Sequence, residues 1–177
     1  MKTPSLTKPI HRSSLRRALL LIAPALVIIS ALTAVPAFAT PPIGVTTEIF
    51  GVATFADIDA YTKTGDWKAN IDTKGASDLH VLRNTIVPGG TFGWHSHPGP
   101  SLVIVAAGTA TFYLGDDPTC TPHVVPTGGT FVDQGHDVHV VRNEGAINLV
   151  TVVVSLIPQG ATRRIDEPNP GYCPDIN

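Results

Sequence analysis

The sequence predicts an all-β domain, built as a sandwich or a small barrel. Beyond residue 39, no long stretch has the 3.6-residue period of an amphipathic helix. Short runs rich in β-branched and aromatic residues instead alternate with clusters of Gly, Pro, Asn and Asp. The 138 residues of 40–177 have the usual size of one domain. Eight or more short strands in a domain of this size are typical of sandwiches and barrels.

The predicted strands are residues 48–54, 79–87, 101–107, 109–114, 123–125, 130–132, 138–142 and 148–157. In the run 79–87, Leu82 and Ile86 face one side and Arg83 faces the other. The run 148–157 is apolar on both faces, which predicts a central strand buried on both sides. Residues 56–77 are less regular, and we expect Trp67 to anchor an N-terminal arm on the sheets. The Pro-rich segment from residue 158 onward is expected to be irregular.

The first 39 residues have the three parts of a secretory signal peptide. Five basic residues and no acid precede an apolar run over 18–32, and Ala37-Phe38-Ala39 is an A-x-A cleavage signal. An uncleaved N-terminal membrane anchor is the alternative, because the apolar run approaches the ~20 residues that a spanning helix needs. We therefore expect a secreted, periplasmic or cell-envelope protein, cleaved after Ala39 and free of the membrane afterwards.

Cleavage would leave 7 Lys and Arg against 14 Asp and Glu, a formal charge of −7. An acidic domain without a basic stretch argues against nucleic acid or anionic lipid as a partner. Two cysteines remain, Cys120 and Cys173, and an even number in an exported protein suggests a disulfide. Two unpaired thiols are the alternative.

The segment 89–101 carries the main chemical signal. His95 and His97 are one residue apart in an extended, turn-flanked segment, so their side chains point to the same face. One metal ion could take both imidazoles. His139 lies in a later extended run and is the candidate third ligand.

Two motifs place these histidines in a known pattern. Residues 89–108 resemble the first motif of the cupin superfamily, G-x5-H-x-H-x3,4-E-x6-G, through Gly89, His95, His97 and Gly108. Ser101 stands where that motif has its glutamate. Residues 128–143 are similar to the second motif, G-x5-P-x-G-x2-H-x3-N. The matches there are Gly128, His139 and Asn143, while Gln134 and His136 replace the proline and the second glycine.

The resemblance implies a double-stranded β-helix (a jelly roll, or cupin barrel) with a metal inside its mouth. It implies metal ligands at His95, His97 and His139 and a possible homodimer; it supplies no fourth ligand. Three neutral imidazoles suit one divalent transition metal among Fe, Mn, Zn, Ni and Cu, and leave positions open for water or substrate. Some cupin-like thiol dioxygenases are similar in using three histidines.

Further residues are weaker candidates for the site. Asp137 shares a strand face with His139 and could supply the missing carboxylate, although a turn aspartate is the ordinary interpretation. Ser101 could bind a metal-bound water, and Arg83 or Arg142 could hold an anionic substrate. The remaining candidates are Trp94 and Phe92 as pocket walls or core, His136 as exposed, and His80 and His123 as structural.

The sequence thus predicts a signal peptide over 1–39, an N-terminal arm over 40–77, a barrel over 78–158 and an irregular C-terminal tail over 159–177. Its function is expected to be metal-dependent action on a small, anionic molecule, of an oxygenase-like or isomerase-like kind. The catalytic residues and the substrate are not predicted. The alternative is a non-catalytic module that binds a small molecule outside the cytoplasm.

Overall fold

The structure, a computed structural model, describes residues 39–176 and contains strands but no helix in that range. Residues 1–38, which hold all but the last residue of the predicted signal peptide, lie outside the described part. Across 39–176, no helix of the length and apolarity needed to cross a membrane occurs. The strands are β1 (Ile43–Phe55), β2 (Asp59–Thr64), β3 (Trp67–Asp72), β4 (Ser77–Thr91), β5 (His95–Ser96), β6 (Ser101–Ala107), β7 (Thr109–Leu114), β8 (His123–Pro126), β9 (Thr130–Asp133), β10 (His139–Arg142), β11 (Leu149–Pro158) and β12 (Ile165–Asp166).

Ten of these strands form the two antiparallel halves of a jelly roll. One half has the order β1-β4-β11-β6-β9, and the other has the order β12-β5-β10-β7-β8. The 15-residue β4 joins the halves, because its end pairs with β10 at Thr91 and Arg142. Gly89, at a φ of 76°, lies where β4 passes from one half to the other, a conformation that favours glycine. The predicted double-stranded β-helix is confirmed.

Alternation along the strands places the core between the two halves. Leu82 and Ile86 on β4 are fully buried, while Arg83 is exposed, as the sequence predicts. β11 lies between β4 and β6, which confirms its central position. The prediction that both faces of β11 are buried is only half right, because one face is buried and the other is half-exposed.

The N-terminal segment is more regular than the sequence predicts. β1 pairs with β4 along its length, and β2 and β3 form a separate hairpin. The expected role of Trp67 as an anchor is wrong, since its side chain is 62% exposed on that hairpin. Gly65-Asp66, a two-residue turn with φ of 58° at Gly65, is the local signal for the hairpin.

The C-terminal tail is mostly irregular, as expected, but it is fastened to the barrel. β12 pairs with β5, and Cys120 and Cys173 form a disulfide, so the alternative of two free thiols is wrong. The buried Trp94 donates its Nε1–H to the Ile176 carbonyl at 2.9 Å. The tail therefore covers the end of the barrel where β5 begins.

The outward face of the first half keeps large apolar side chains exposed. Leu102 and Val132, which pair across β6 and β9, are 58% and 59% exposed, and Ile104 is 50% exposed. The expected homodimer stays a prediction; this face is the apolar surface that a second copy could bury.

Candidate metal centre

Three histidines from two strands meet inside the mouth of the barrel. His139 begins β10 and pairs directly with His95 on β5, which puts the two side chains next to each other on one face. His97 is two residues after His95 and keeps the same face. The ring centroids lie 4.4 Å apart for His95 and His139, 4.9 Å for His95 and His97, and 5.5 Å for His97 and His139. One nitrogen from each ring lies within 4.8 Å of the others.

Each of the three rings forms a hydrogen bond between its Nδ1 atom and a backbone carbonyl. Nδ1 of His95 lies 2.8 Å from the Gly93 carbonyl oxygen, that of His97 lies 2.6 Å from the Arg163 carbonyl, and that of His139 lies 2.9 Å from the Asp137 carbonyl. A carbonyl oxygen only accepts, so each Nδ1 carries the proton and donates it. In its neutral form, each ring therefore presents a bare Nε2 lone pair. Metal-ligating histidines are commonly oriented by such a partner on the other nitrogen.

Gly93 is itself held in a conformation that suits this role. Its φ is 69°, and an added Cβ would collide with the Thr40 carbonyl. An L-residue would therefore be strained here and would displace the chain that presents the carbonyl to His95.

The environment of the cluster disfavours protonation of His95 and His97. Burial lowers the pKa of His95 well below its usual value, and repulsion from His139 and His97 in their protonated forms and from Arg164 lowers it further. Burial also lowers the pKa of His97, although its bond to the Arg163 carbonyl and the charge of Asp133 act in the opposite direction. Both rings are therefore neutral near pH 7 and available as ligands.

Asp133 is a fourth polar group at the cluster, and sequence reasoning missed it. Its side chain is only 6% exposed, and Oδ2 lies 3.4 Å from Nε2 of His97 and 3.8 Å from Nε2 of His139. Oδ1 accepts the Gly135 N–H at 2.8 Å, whereas Oδ2 is buried and has no hydrogen-bond partner among residues 39–176. The available signal was the strand period, because Asp133 shares a face with the inward-facing Phe131.

The cluster opens into a cavity of about 50 Å³. That volume has room for a few water-sized groups, since one water needs ~10–15 Å³ of such space. Phe92, Phe131 and Val103 supply apolar wall, and Arg163 and Arg164 from the tail supply positive charge. Nη1 of Arg164 is buried and finds no hydrogen-bond partner in the described part of the chain, while its Nη2 lies 2.7 Å from Oδ1 of Asp166. Burial, with the adjacent Arg164, lowers the pKa of Arg163.

The structure separates the remaining sequence candidates into those at the cavity and those outside it. Ser101 lines the cavity, where its hydroxyl shares a 2.8 Å hydrogen bond with Ser155. Asp137 is exposed, and only its backbone carbonyl serves the cluster, so its carboxylate does not replace the glutamate. Arg83 pairs with Glu48 at 2.5 Å on the surface, away from the cavity.

The other residues have structural roles. Arg142 pairs with Glu144 at 3.5 Å and does not line the cavity. Trp94 belongs to the core with Tyr113 and Val140, not to the pocket wall. His136 is exposed, as expected. His123 stacks on Phe112 with ring centroids 4.8 Å apart, in agreement with its predicted structural role.

Several solved structures are similar to this chain at low sequence identity. The similar solved structures include a cupin-2 domain protein from Rhodospirillum rubrum, at 12% identity over 72% of this chain and 68% of that one, with a TM-score of 0.47. A cupin superfamily protein from Desulfitobacterium hafniense is 14% identical over 62% of this chain and 81% of that one, with a TM-score of 0.40. A DMSP lyase from Ruegeria pomeroyi is 17% identical over 49% of this chain and has a TM-score of 0.42; the chain spans only 42% of its length. None of these similarities bears on the substrate of this chain, and no curated protein matches its sequence.

A family model described as the cupin domain matches residues 82–155. The match begins within β4, ends within β11, and includes all three histidines of the cluster. This segment of the chain is therefore a domain of the cupin superfamily.

Proposed function

We propose that this protein binds one divalent transition metal ion through Nε2 of His95, His97 and His139. It then acts on a small anionic molecule, as an oxygenase-like or isomerase-like enzyme. The observation that carries this proposal is the convergence of three buried Nε2 lone pairs, each aimed by an Nδ1–H bond to a backbone carbonyl. Imidazole ligands suit Fe, Zn, Ni and Cu, and Mn is accepted where oxygen ligands add to the set.

The chain's own groups favour an anionic substrate. Arg163 and Arg164 bring two positive charges to the cavity, and guanidinium groups bind carboxylate or phosphate oxygens well. The apolar side chains of Phe92, Phe131 and Val103 limit the water that can enter, which strengthens those charge interactions. A bound divalent metal would supply Lewis acidity toward an oxygen atom of the substrate.

Metal analysis tests the proposal directly. Protein purified without chelator is expected to carry a transition metal, and His95→Ala and His139→Ala are expected to lose it. Metal at 100 times its dissociation constant stabilises the folded state by about 2.7 kcal/mol, or roughly 9 °C in Tm for a domain of this size. The proposal is wrong if the wild type holds under about a tenth of an equivalent and added Fe, Mn, Zn, Ni or Cu leaves Tm unchanged.

The size of the cavity favours a second candidate, a non-catalytic module. Sites for drug-sized ligands usually enclose ~300–1,000 Å³, far more than the volume of about 50 Å³ at this cluster. Such a module would hold a metal or a very small molecule without turnover. Metal-loaded protein that shows neither oxygen uptake nor conversion of a panel of small carboxylates would favour it.

We also propose export, with cleavage after Ala39. The order of a basic segment, an apolar run and Ala37-Phe38-Ala39 supports this proposal. N-terminal sequencing of the protein from its native host is expected to begin at Thr40. A full-length chain in the membrane fraction would support an N-terminal anchor instead.

A further inference from the structure

Asp133 places a buried carboxylate oxygen against the nitrogens of the cluster, an arrangement that a bound cation would stabilise. Its Oδ2 faces the Nε2 atoms of His97 and His139 at 3.4 and 3.8 Å. Because both rings donate through Nδ1, these nitrogens carry lone pairs in the neutral state. A carboxylate oxygen and imidazole lone pairs repel one another unless a positive charge lies between them. The oxygen is also buried, and none of the described residues gives it a hydrogen bond, which is costly for a charged group.

The strand register relates Asp133 to the serine that replaces the family's glutamate. Ser101 on β6 pairs directly with Asp133 on β9. Directly opposite residues of antiparallel strands point to the same side, with Cβ atoms only ~4.5–5.5 Å apart. The carboxylate of Asp133 is thus one strand away from the position of the family's glutamate, which Ser101 occupies here, and it faces the same cavity. Ser101 leaves it room, since a serine side chain is much shorter than that of glutamate.

We propose that Asp133 is a fourth metal ligand, which replaces the glutamate lost at position 101. This inference rests on the metal site proposed above. The spacing to His97 and His139 is close to that of two ligands on one ion, since ligand atoms bound at ~2.1 Å lie ~3.0–3.4 Å apart in octahedral or tetrahedral geometry. The separation of 3.4 Å between Oδ2 and Nε2 of His97 meets that value, and the separation of 3.8 Å from His139 needs only a small adjustment.

A carboxylate in the set changes which metals the site prefers. Three imidazoles alone suit Zn and Cu, whereas carboxylate oxygens favour harder ions such as Mn. The negative charge also offsets part of the metal's charge, so the positive field over the cavity then comes largely from Arg163 and Arg164. Asp133 should therefore matter more for Mn²⁺ than for Zn²⁺.

Asp133→Asn is the most informative variant. The amide oxygen can still accept the Gly135 N–H, so the turn after β9 is retained, while Oδ2 becomes an NH₂ group. That NH₂ can donate to Nε2 of His97, so the metal-free variant should melt at or above the wild-type temperature. A purely structural role of Asp133 would give the opposite result. Asp137→Asn is the matched control, since it removes an exposed carboxylate two residues from His139.

The experiment measures dissociation constants for Mn²⁺ and Zn²⁺ by competition with a chromogenic chelator, together with Tm of the metal-free proteins. Loss of a partner that merely orients a ligand costs ~10–100-fold in affinity, so loss of Asp133 should weaken Mn²⁺ binding by at least that factor. Zn²⁺ binding should weaken less, and Asp137→Asn should bind both metals as the wild type does. Co²⁺-loaded Asp133→Asn should also show a shifted visible spectrum.

Restoring the glutamate provides the decisive comparison if Asp133→Asn loses stability. Ser101→Glu added to Asp133→Asn should recover Mn²⁺ affinity, and Ser101→Ala added to it should not. Wild-type affinity in Asp133→Asn for both metals, or no recovery with Ser101→Glu, would overturn the role of Asp133 alone. A wild type that binds neither these metals nor Fe, Ni or Cu would overturn the proposed metal site together with it.

Discussion

Removing the disulfide should destabilise the protein strongly but leave its metal site intact. Cys120 and Cys173 are 53 residues apart in sequence, and the bond restricts the unfolded chain by closing that loop. Loop-closure entropy for such a length corresponds to about 4 kcal/mol at 25 °C. For 138 described residues, an unfolding entropy of ~2.1 cal/mol/K per residue converts this to a fall of roughly 14 °C in Tm.

Cys120→Ser is the suitable variant, because Cys173 packs in the core with Trp94 and should keep its place. Urea unfolding of this variant under reducing conditions should be compared with that of the oxidised wild type, and the slope of the transition should be checked in both. Metal affinity is expected to stay within about threefold. The reason is that β12 pairs with β5 next to Arg163, independently of the disulfide.

Two results would refute this reasoning. A fall of less than about 1 kcal/mol in the free energy of unfolding would mean that closing the loop between Cys120 and Cys173 removes little entropy from the unfolded chain, or that other contacts of the tail already restrict that chain. A large loss of metal affinity would mean that the disulfide, not the β12–β5 pairing, holds the Arg163 carbonyl against His97.

Three further predictions address two residues of the fold and one arginine at the cavity. Asn143→Ala should lower the free energy of unfolding by about 3 kcal/mol, because the buried amide donates to the Ile86 and Ile147 carbonyls and accepts the Gly145 N–H. The metal stoichiometry of the protein that still folds should stay at the wild-type value. Hydrogen bonds from the Thr119 hydroxyl and nearby backbone N–H groups hold the pKa of Asp117 well below its usual value, so the stability that its carboxylate contributes is present above pH ~4 and is lost as the pH falls. The difference in urea midpoint between the wild type and Asp117→Asn should therefore shrink below pH ~4. A difference that stays constant with pH would contradict this prediction. Small carboxylates should raise the Tm of the metal-loaded protein less in Arg164→Gln than in the wild type, as measured by thermal-shift titration. Arg83→Gln, which changes a surface arginine away from the cavity, is the control and should respond as the wild type does.

The barrel could be predicted from the sequence because its signals are local. The alternation of Leu82 and Ile86 against Arg83 required only a period of two, and the structure reproduces it. The hairpin β2–β3 was missed because apolar residues were assumed to mark burial. Trp67, Tyr61 and Ile71 are instead 62%, 64% and 48% exposed, so the fold of this segment follows from its Gly65-Asp66 turn and not from a core contact.

The three histidines could be predicted as one cluster because two motifs fix their spacing along two strands. The two arginines at the cavity could not, since they come from a segment without any motif. Arg163 and Arg164 belong to a tail that the sequence predicts as irregular, and the pairing of β12 with β5 next to them brings them to the cavity. Arg83 and Arg142 were the arginines predicted from the strands, yet both form ion pairs outside it.

The position of Asp133 shows why a motif can mislead about a metal site. A motif specifies positions along one strand, whereas a metal ion is surrounded by side chains that neighbouring strands place side by side. Ser155, Ser101 and Asp133 pair in that order across β11, β6 and β9, so all three point to the same side of the sheet. A carboxylate at any of these positions could approach the cavity, and here the outermost of them carries it. The serine at 101 therefore does not establish a site of three histidines alone.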